Sequence, residues 1–228
     1  MPEFFYEDIL NKHKNKPAIV LGHGPSMSPL IPHIGKLNEK FLTISCNEWF
    51  LFFNDPIDYW VVANSVFTMN KNVNNFNRFP NTKLIYADVA DSSFDKRIAD
   101  GLKNDYMLYT ERDVDNRIPI YIKLQEYCNY EINYRSYGTV ALHMLAFAVL
   151  MGCNPIYITG VDLDYNKGYA LERKSRNPDS FEKDKYIIIN SFDIIKKSAN
   201  NIGVQIYGIG TQPSHGVFGD PINILDLI

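Results

Sequence analysis

The sequence predicts an α/β fold built on a mostly parallel sheet with helices on both faces, and two observations carry that expectation. Continuous apolar runs of strand length recur along the chain, and segments of helical periodicity alternate with them. A continuous run bounded by proline or glycine marks a strand covered on both faces, as strands of parallel sheets are. At 228 residues with 46% hydrophobic content, the chain can bury one sizeable core, so a single domain over residues 1–228 is expected.

Taken in order, residues 3 to 14 place Phe4, Phe5, Ile9 and Leu10 at helical spacing. Lys12, His13, Lys14 and Lys16 then suit a helix C-terminus, and Pro17 stops it. Ala18-Ile19-Val20-Leu21 is the first strand. Further runs are Phe41–Ser45, Tyr59–Ala63, Lys83–Ala87, Ile156–Thr159 and Val204–Tyr207. Two helical segments stand out: Thr139 to Met151, apolar almost all round, and Tyr186 to Asn200, with a stripe of Ile188, Phe192, Ile195 and Ala199. Residues 165–185 between them are polar, charge-rich and aperiodic, the pattern of a lid-like loop before the last long helix.

Parallel sheets bind ligands at the C-terminal ends of their strands, so the residues that follow each run matter most. The first strand leads into Gly22-His23-Gly24-Pro25-Ser26. Two glycines admit close backbone approach, and proline with serine suits the opening of a helix whose amides face an anion. This fits a phosphate cradle, though a glycine turn into a helix is also common scaffolding. The loop has neither the P-loop pattern nor its lysine, which argues against a P-loop ATPase. Asn47 and Asn64 follow the next two strands and offer donor and acceptor groups for a base or sugar; a plain turn role is the alternative. Arg135-Ser136-Tyr137-Gly138-Thr139 precedes the apolar helix, where Thr139 or Ser136 suits a cap and Arg135 a carboxylate or phosphate. Asp162 and Asp164 form a D-x-D pair after the fifth run. They suit Mg²⁺, or Asp162 holds a neighbouring serine. His23 and His215 lie in glycine-flanked loops where an imidazole can act as acid, base or phosphate donor. His13 and His33 read as surface residues and His143 as a core imidazole.

Composition excludes several classes. A formal net charge of −3 and a pI near 5.9 offer no field for duplex nucleic acid. Cys46, Cys128 and Cys153 are scattered among apolar residues without zinc or disulfide spacing, so they read as reduced core residues. The acidic N-terminus does not resemble a signal peptide, and the apolar window from Val140 to Cys153 is too short for a bilayer. A cytoplasmic location is the expectation. The 15 Tyr and 14 Phe suit a packed core and a ring-stacking pocket alike.

Three segments, taken with Cys46-Asn47 and Asn64, resemble the DUF115 or MptE-like family. They are Asn11–Ser26 with its Gly22-His23-Gly24-Pro25-Ser26 turn, Gly138–His143, and Met151–Asp162 ending in Gly160-Val161-Asp162. That family is related to Cst-II-type bacterial sialyltransferases and to motility-accessory-factor proteins. The resemblance implies a Rossmann-like fold with a nucleotide pocket. It assigns Gly22, His23, Gly24, Ser26, Asn47, Asn64, Gly138 and Thr139 to the nucleotide, and Arg135, Tyr165 and Tyr169 to the substrate. It also implies a transferase, with a glycosyltransferase using a nucleotide sugar, CMP-activated for example, as the leading reading and a glycan or small molecule as acceptor. The alternatives are ATP- and Mg²⁺-dependent diphosphate transfer to a hydroxymethyl-pterin, with Asp162 and Asp164 as ligands, or a nucleotide-binding domain without turnover. The sialyltransferases carry a lid histidine as base, whereas this chain has none from Met144 to Ser214. Either His215 or His23 takes the base role, or a carboxylate, Asp162 or Asp164, does, or the chemistry differs.

Overall fold

The computed structural model describes residues 4–52, 54–63, 74–87, 101–109, 119–131, 139–163, 178–209, 216–223 and 226–227, with the backbone alone over 178–184. Among the described residues seven strands form the sheet: β1 (Ala18–Leu21), β2 (Leu42–Cys46), β3 (Tyr59–Val62), β4 (Lys83–Ala87), β5 (Tyr106–Tyr109), β6 (Ile156–Thr159) and β7 (Ile206–Gly208). Their order is β5-β4-β3-β2-β1-β6-β7, and every pairing is parallel. Strand order therefore grows outward from β1 on one side and restarts with β6 on the other. The sheet reverses between β1 and β6.

The expected continuous runs are buried on both faces because alternate residues enter two separate cores. Ala18 and Val20 of β1 join one cluster with Val61, Ile85 and Ile158, while Ile19 and Leu21 join another with Trp60, Val62 and Tyr86. The first cluster is covered by α3 (Ile120–Cys128), α4 (Val140–Leu150) and α5 (Pro178–Asn201). The second lies under a 3₁₀ segment, Pro25–His33, and α2 (Ile34–Lys40). Helix α4 is buried over nearly its whole surface, as its uniformly apolar sequence requires. The three cysteines are buried free thiols.

Several elements differ from expectation. The N-terminal helix α1 is only Tyr6–Ile9, since Leu10 turns to an extended ψ of 120° and Asn11 to a left-handed φ of 55°. Helix α5 spans Pro178–Asn201, so residues 178–185 are helical where a loop was expected, and proline is a residue that the first position of a helix tolerates. The remainder of the expected lid, 165–177, lies outside the described residues. His13 is half-buried rather than superficial, with its Nε2 2.9 Å from the Tyr59 hydroxyl.

Candidate functional site

Because all strands run parallel, the residues after β1, β2, β3 and β6 share one edge of the sheet. Helix α4 joins that edge from the other direction. It enters β6 through Gly152, whose carbonyl accepts from Asn15 N–H at the opposite edge, so its N-terminus points back to the C-terminal rim. Thr139 caps it, accepting from Ala141 N–H at 3.3 Å.

The glycine turn is sewn to the end of β6. Gly22 N–H donates to the Thr159 carbonyl at 2.9 Å and Gly24 N–H to the Gly160 carbonyl at 2.7 Å. Ser26 donates both its N–H, at 3.1 Å, and its hydroxyl, at 3.0 Å, to Asp162 Oδ2. The same hydroxyl accepts from Gly160 N–H at 2.9 Å. A Cβ on Gly22 would strike the Gly160 carbonyl, and one on Gly24 would strike the Asp162 carboxylate. Gly160 itself sits at φ +68° with its Cα side against the Gly22 carbonyl. The contact of the two chain segments is therefore sufficient by itself to require glycine at these positions.

This changes the expected phosphate cradle. The amides of Gly22, Gly24 and Ser26 are committed inside the protein, Pro25 has none, and Met27 N–H donates to the Gly24 carbonyl at 3.0 Å. The segment that follows is a 3₁₀ helix containing Pro29 and Pro32, not the opening of an α-helix, because those prolines cannot donate i→i−4 bonds. Ser26 is 3% exposed. Asp162 takes the serine-holding alternative.

Two further residues follow their structural alternatives. Asn47 adopts left-handed φ of 41°; its side-chain oxygen accepts from Ala63 N–H at 3.3 Å, and its carbonyl accepts from Trp60 Nε1 at 2.8 Å. It shapes the β2–β3 rim. Thr139 acts as a cap. Asn64, Arg135, Gly138, Asp164, Tyr165, Tyr169 and His215 lie outside the described residues.

His23 stands apart. It is half-exposed, stacks on Phe52 with centroids 4.4 Å apart, and brings Nε2 to 3.8 Å from Cys46 Sγ. Burial pushes the Cys46 thiol well above its ordinary pKa, so it is a protonated neighbour rather than a nucleophile. His143 is enclosed, with Nδ1 2.7 Å from the Tyr109 hydroxyl; burial pushes its pKa down to about 4, leaving it neutral at pH 7. Sequence reasoning missed Phe52 and the partner role of Thr159–Gly160. A second glycine at the end of the strand flanking β1 was the available signal. Among the described residues, no group of three His, Cys, Asp or Glu side chains could hold a metal ion, and no helix is long and apolar enough to cross a membrane.

The fold is similar to two solved glycosyltransferases. The sialyltransferase CstII from Campylobacter jejuni, in complex with cytidine-5'-monophosphate, gives a TM-score of 0.59 at 17% identity over 90% of this chain and 84% of that one. Its complex with CMP-3FNeuAc gives 0.52 at 17% identity over 90% and 85%. The MAf glycosyltransferase from Magnetospirillum magneticum AMB-1 gives 0.57 at 16% identity over 89% of this chain, which spans only 33% of that larger protein. These likenesses establish a Rossmann-like α/β fold. Comparison with curated proteins finds no match. A family model, that of the 6-hydroxymethylpterin diphosphokinase MptE-like proteins, matches residues 1–168. With that match covering most of the chain, and with the seven parallel strands behind it, the protein belongs to the MptE-like family.

Proposed function

We propose that the chain is a glycosyltransferase that takes its donor as a nucleotide-activated sugar at the C-terminal rim, where the sheet reverses between β1 and β6. One observation carries the reading: the glycine turn, the β6 end, the His23–Phe52 stack and the N-terminus of α4 converge on the place where open parallel sheets take their ligands. The CMP bound by a protein of similar fold makes a CMP-activated sugar the first donor to test.

With the Gly22 and Gly24 amides committed to the end of β6 and that of Ser26 to Asp162, the donor phosphate falls to the N-terminus of α4, which carries roughly half a positive charge, and to the His23 imidazole. In the transfer, the bond from the anomeric carbon to the phosphate oxygen breaks and the nucleotide leaves with the electron pair. The acceptor hydroxyl bonds to that carbon and gives its proton to a base, for which His23 and His215 are the candidates. Asn64, Gly138, Arg135, Tyr165 and Tyr169 complete the nucleotide and substrate contacts in this reading.

The activity for which the family is named supports a second reading, diphosphate transfer from ATP to a hydroxymethyl-pterin, with Mg²⁺ on Asp162 and Asp164. The commitment of Asp162 Oδ2 to Ser26 weighs against it. Isothermal titration with CMP, UDP, GDP and ATP, each with Mg²⁺ and with EDTA, separates the two. Binding of CMP that ignores EDTA is expected. ATP binding abolished by EDTA, without CMP binding, selects the diphosphokinase, and the absence of any nucleotide binding removes both.

A further inference from the structure

Helix α5 presents two stripes. Ile188, Phe192, Ile195 and Ala199 enter the core, while Tyr186, Ile189, Asn190 and Asp193, spaced i, i+3, i+4 and i+7, line a solvent-open groove of about 360 Å³ bordered on its other side by Gly216 and Val217. That volume lies within the range of small-molecule sites. Tyr186 is 81% exposed, which leaves its ring face open.

The far wall is held in place. Gly219 N–H donates to the Gly216 carbonyl at 3.1 Å in a tight turn, with both glycines at positive φ. Lys196 Nζ donates to the Val217 carbonyl at 2.6 Å, and Phe218 packs edge-on against Phe192 at 5.6 Å. The cleft is thus preformed, with one helical wall and one pinned turn.

Its height above the sheet follows from geometry. The C-terminal end of α5 lies at the N-terminal edge, where Asn154 Nδ2 donates to the Gly203 carbonyl at 3.2 Å. From Ala199 back to Tyr186 the helix climbs roughly 20 Å, against about 13 Å for a four-residue strand. The 216–219 turn in turn lies between Ile209 and Ile222, which form a bridge just past the end of β7. Both walls therefore rise on the C-terminal side, the side of the proposed donor site.

The lining chemistry selects the occupant. An open tyrosine face suits the C–H face of a pyranose, the Asn190 amide both donates and accepts, and the Asp193 carboxylate accepts. Among the described residues no lysine or arginine lines the cleft; Lys197 Nζ is already paired with Asp193 at 2.6 Å and Lys196 Nζ with the Val217 carbonyl, so a phosphate would meet a carboxylate rather than an uncommitted cation. We propose that this cleft is an acceptor subsite for a neutral sugar unit, stacked on Tyr186 and hydrogen-bonded by Asn190 and Asp193. Its acceptor role rests on the glycosyltransferase reading; its sugar binding does not.

The test is saturation-transfer NMR on the full chain with methyl β-galactoside and methyl N-acetyl-β-glucosaminide, in the absence of nucleotide, paired with a separate CMP titration. Transfer to ring protons of at least one glycoside is expected. Tyr186→Ala should lower it about tenfold and Tyr186→Phe should keep it, with CMP affinity unchanged in both. Tyr186 is exposed, so neither variant endangers folding. No transfer from either glycoside, or equal transfer in Tyr186→Ala, overturns the subsite even where CMP binds. Sugar binding at Tyr186 in a chain that binds no nucleotide supports the sugar site and overturns its role as acceptor subsite together with the transferase reading.

Discussion

Replacing Asp162 by alanine is the sharpest probe of how the rim is held. The substitution removes the acceptor of two donors, Ser26 N–H at 3.1 Å and the Ser26 hydroxyl at 3.0 Å. Ser26 is 3% exposed, so the stranded donors carry a desolvation cost of about 1–3 kcal/mol each. Asp162 is itself half-exposed, and water entering the vacated space returns part of that cost, which brings the total to about 2–4 kcal/mol. For a chain of this size each kcal/mol moves the midpoint by about 2–4 °C, so thermal unfolding should shift down by roughly 5–15 °C. Asp162→Asn keeps one acceptor oxygen and should lose about half as much. Thermal denaturation followed by circular dichroism, run with Mg²⁺ and with EDTA, is the assay. A midpoint for Asp162→Ala within about 1 °C of the wild type would refute the structural role. A wild-type midpoint raised by Mg²⁺, with the rise lost in the variant, would show a metal ligand instead.

Two other outcomes follow from the geometry of Asn47 and His143. Asn47→Gly accepts the left-handed φ and loses only the bond to Ala63, whereas Asn47→Ala adds backbone strain, so urea unfolding should show losses under about 1 and about 1–2 kcal/mol respectively; a fall in CMP affinity in both variants would refute a purely turn-forming role. Burial depresses the His143 pKa from 6.5 to about 4, so the unfolded chain takes the proton first: stability is complete above about pH 6.5 and declines as pH falls toward 4, by a loss on the order of 3 kcal/mol. Burial also lowers the His13 pKa, reinforced by Lys16, and acts in the same sense. His143→Gln, which can still accept from the Tyr109 hydroxyl, should flatten most of that decline, and an unchanged pH profile would count against it.

The central strands were legible because burial on both faces leaves only apolar residues to write, as in Ala18–Leu21. Strand β5 was not, since its residues alternate between half-buried and buried and it is preceded by Asn104, a polar residue buried by its bonds to the Phe79 and Thr82 carbonyls. Helix α2 was hidden by its length and by Gly35 and Lys36. The glycine turn was located correctly on a different physical ground. Local backbone freedom suggested a ligand, while the actual demand on Gly22 and Gly24 comes from Gly160 and Asp162, a long-range contact that no local window contains. Asp162 and Asn47 show the same limit: the residue type was legible, but its partner was set by tertiary packing.

The seam between the glycine turn and the end of β6 also bears on how the chain reaches its native state. Strands β1 to β5 each pair with a neighbour close in sequence, but β6 must return from Ile156 to lie beside Ala18. Pairings this remote are the slow ones in sheet formation. A nascent chain ending before β6 has the partners for five paired strands and still lacks Thr159, Gly160 and Asp162, the groups that hold the turn. The rim of the proposed donor site is thus completed by the most distant pairing of the central strands, and in that reading competence to bind reports that the sheet has closed around β1.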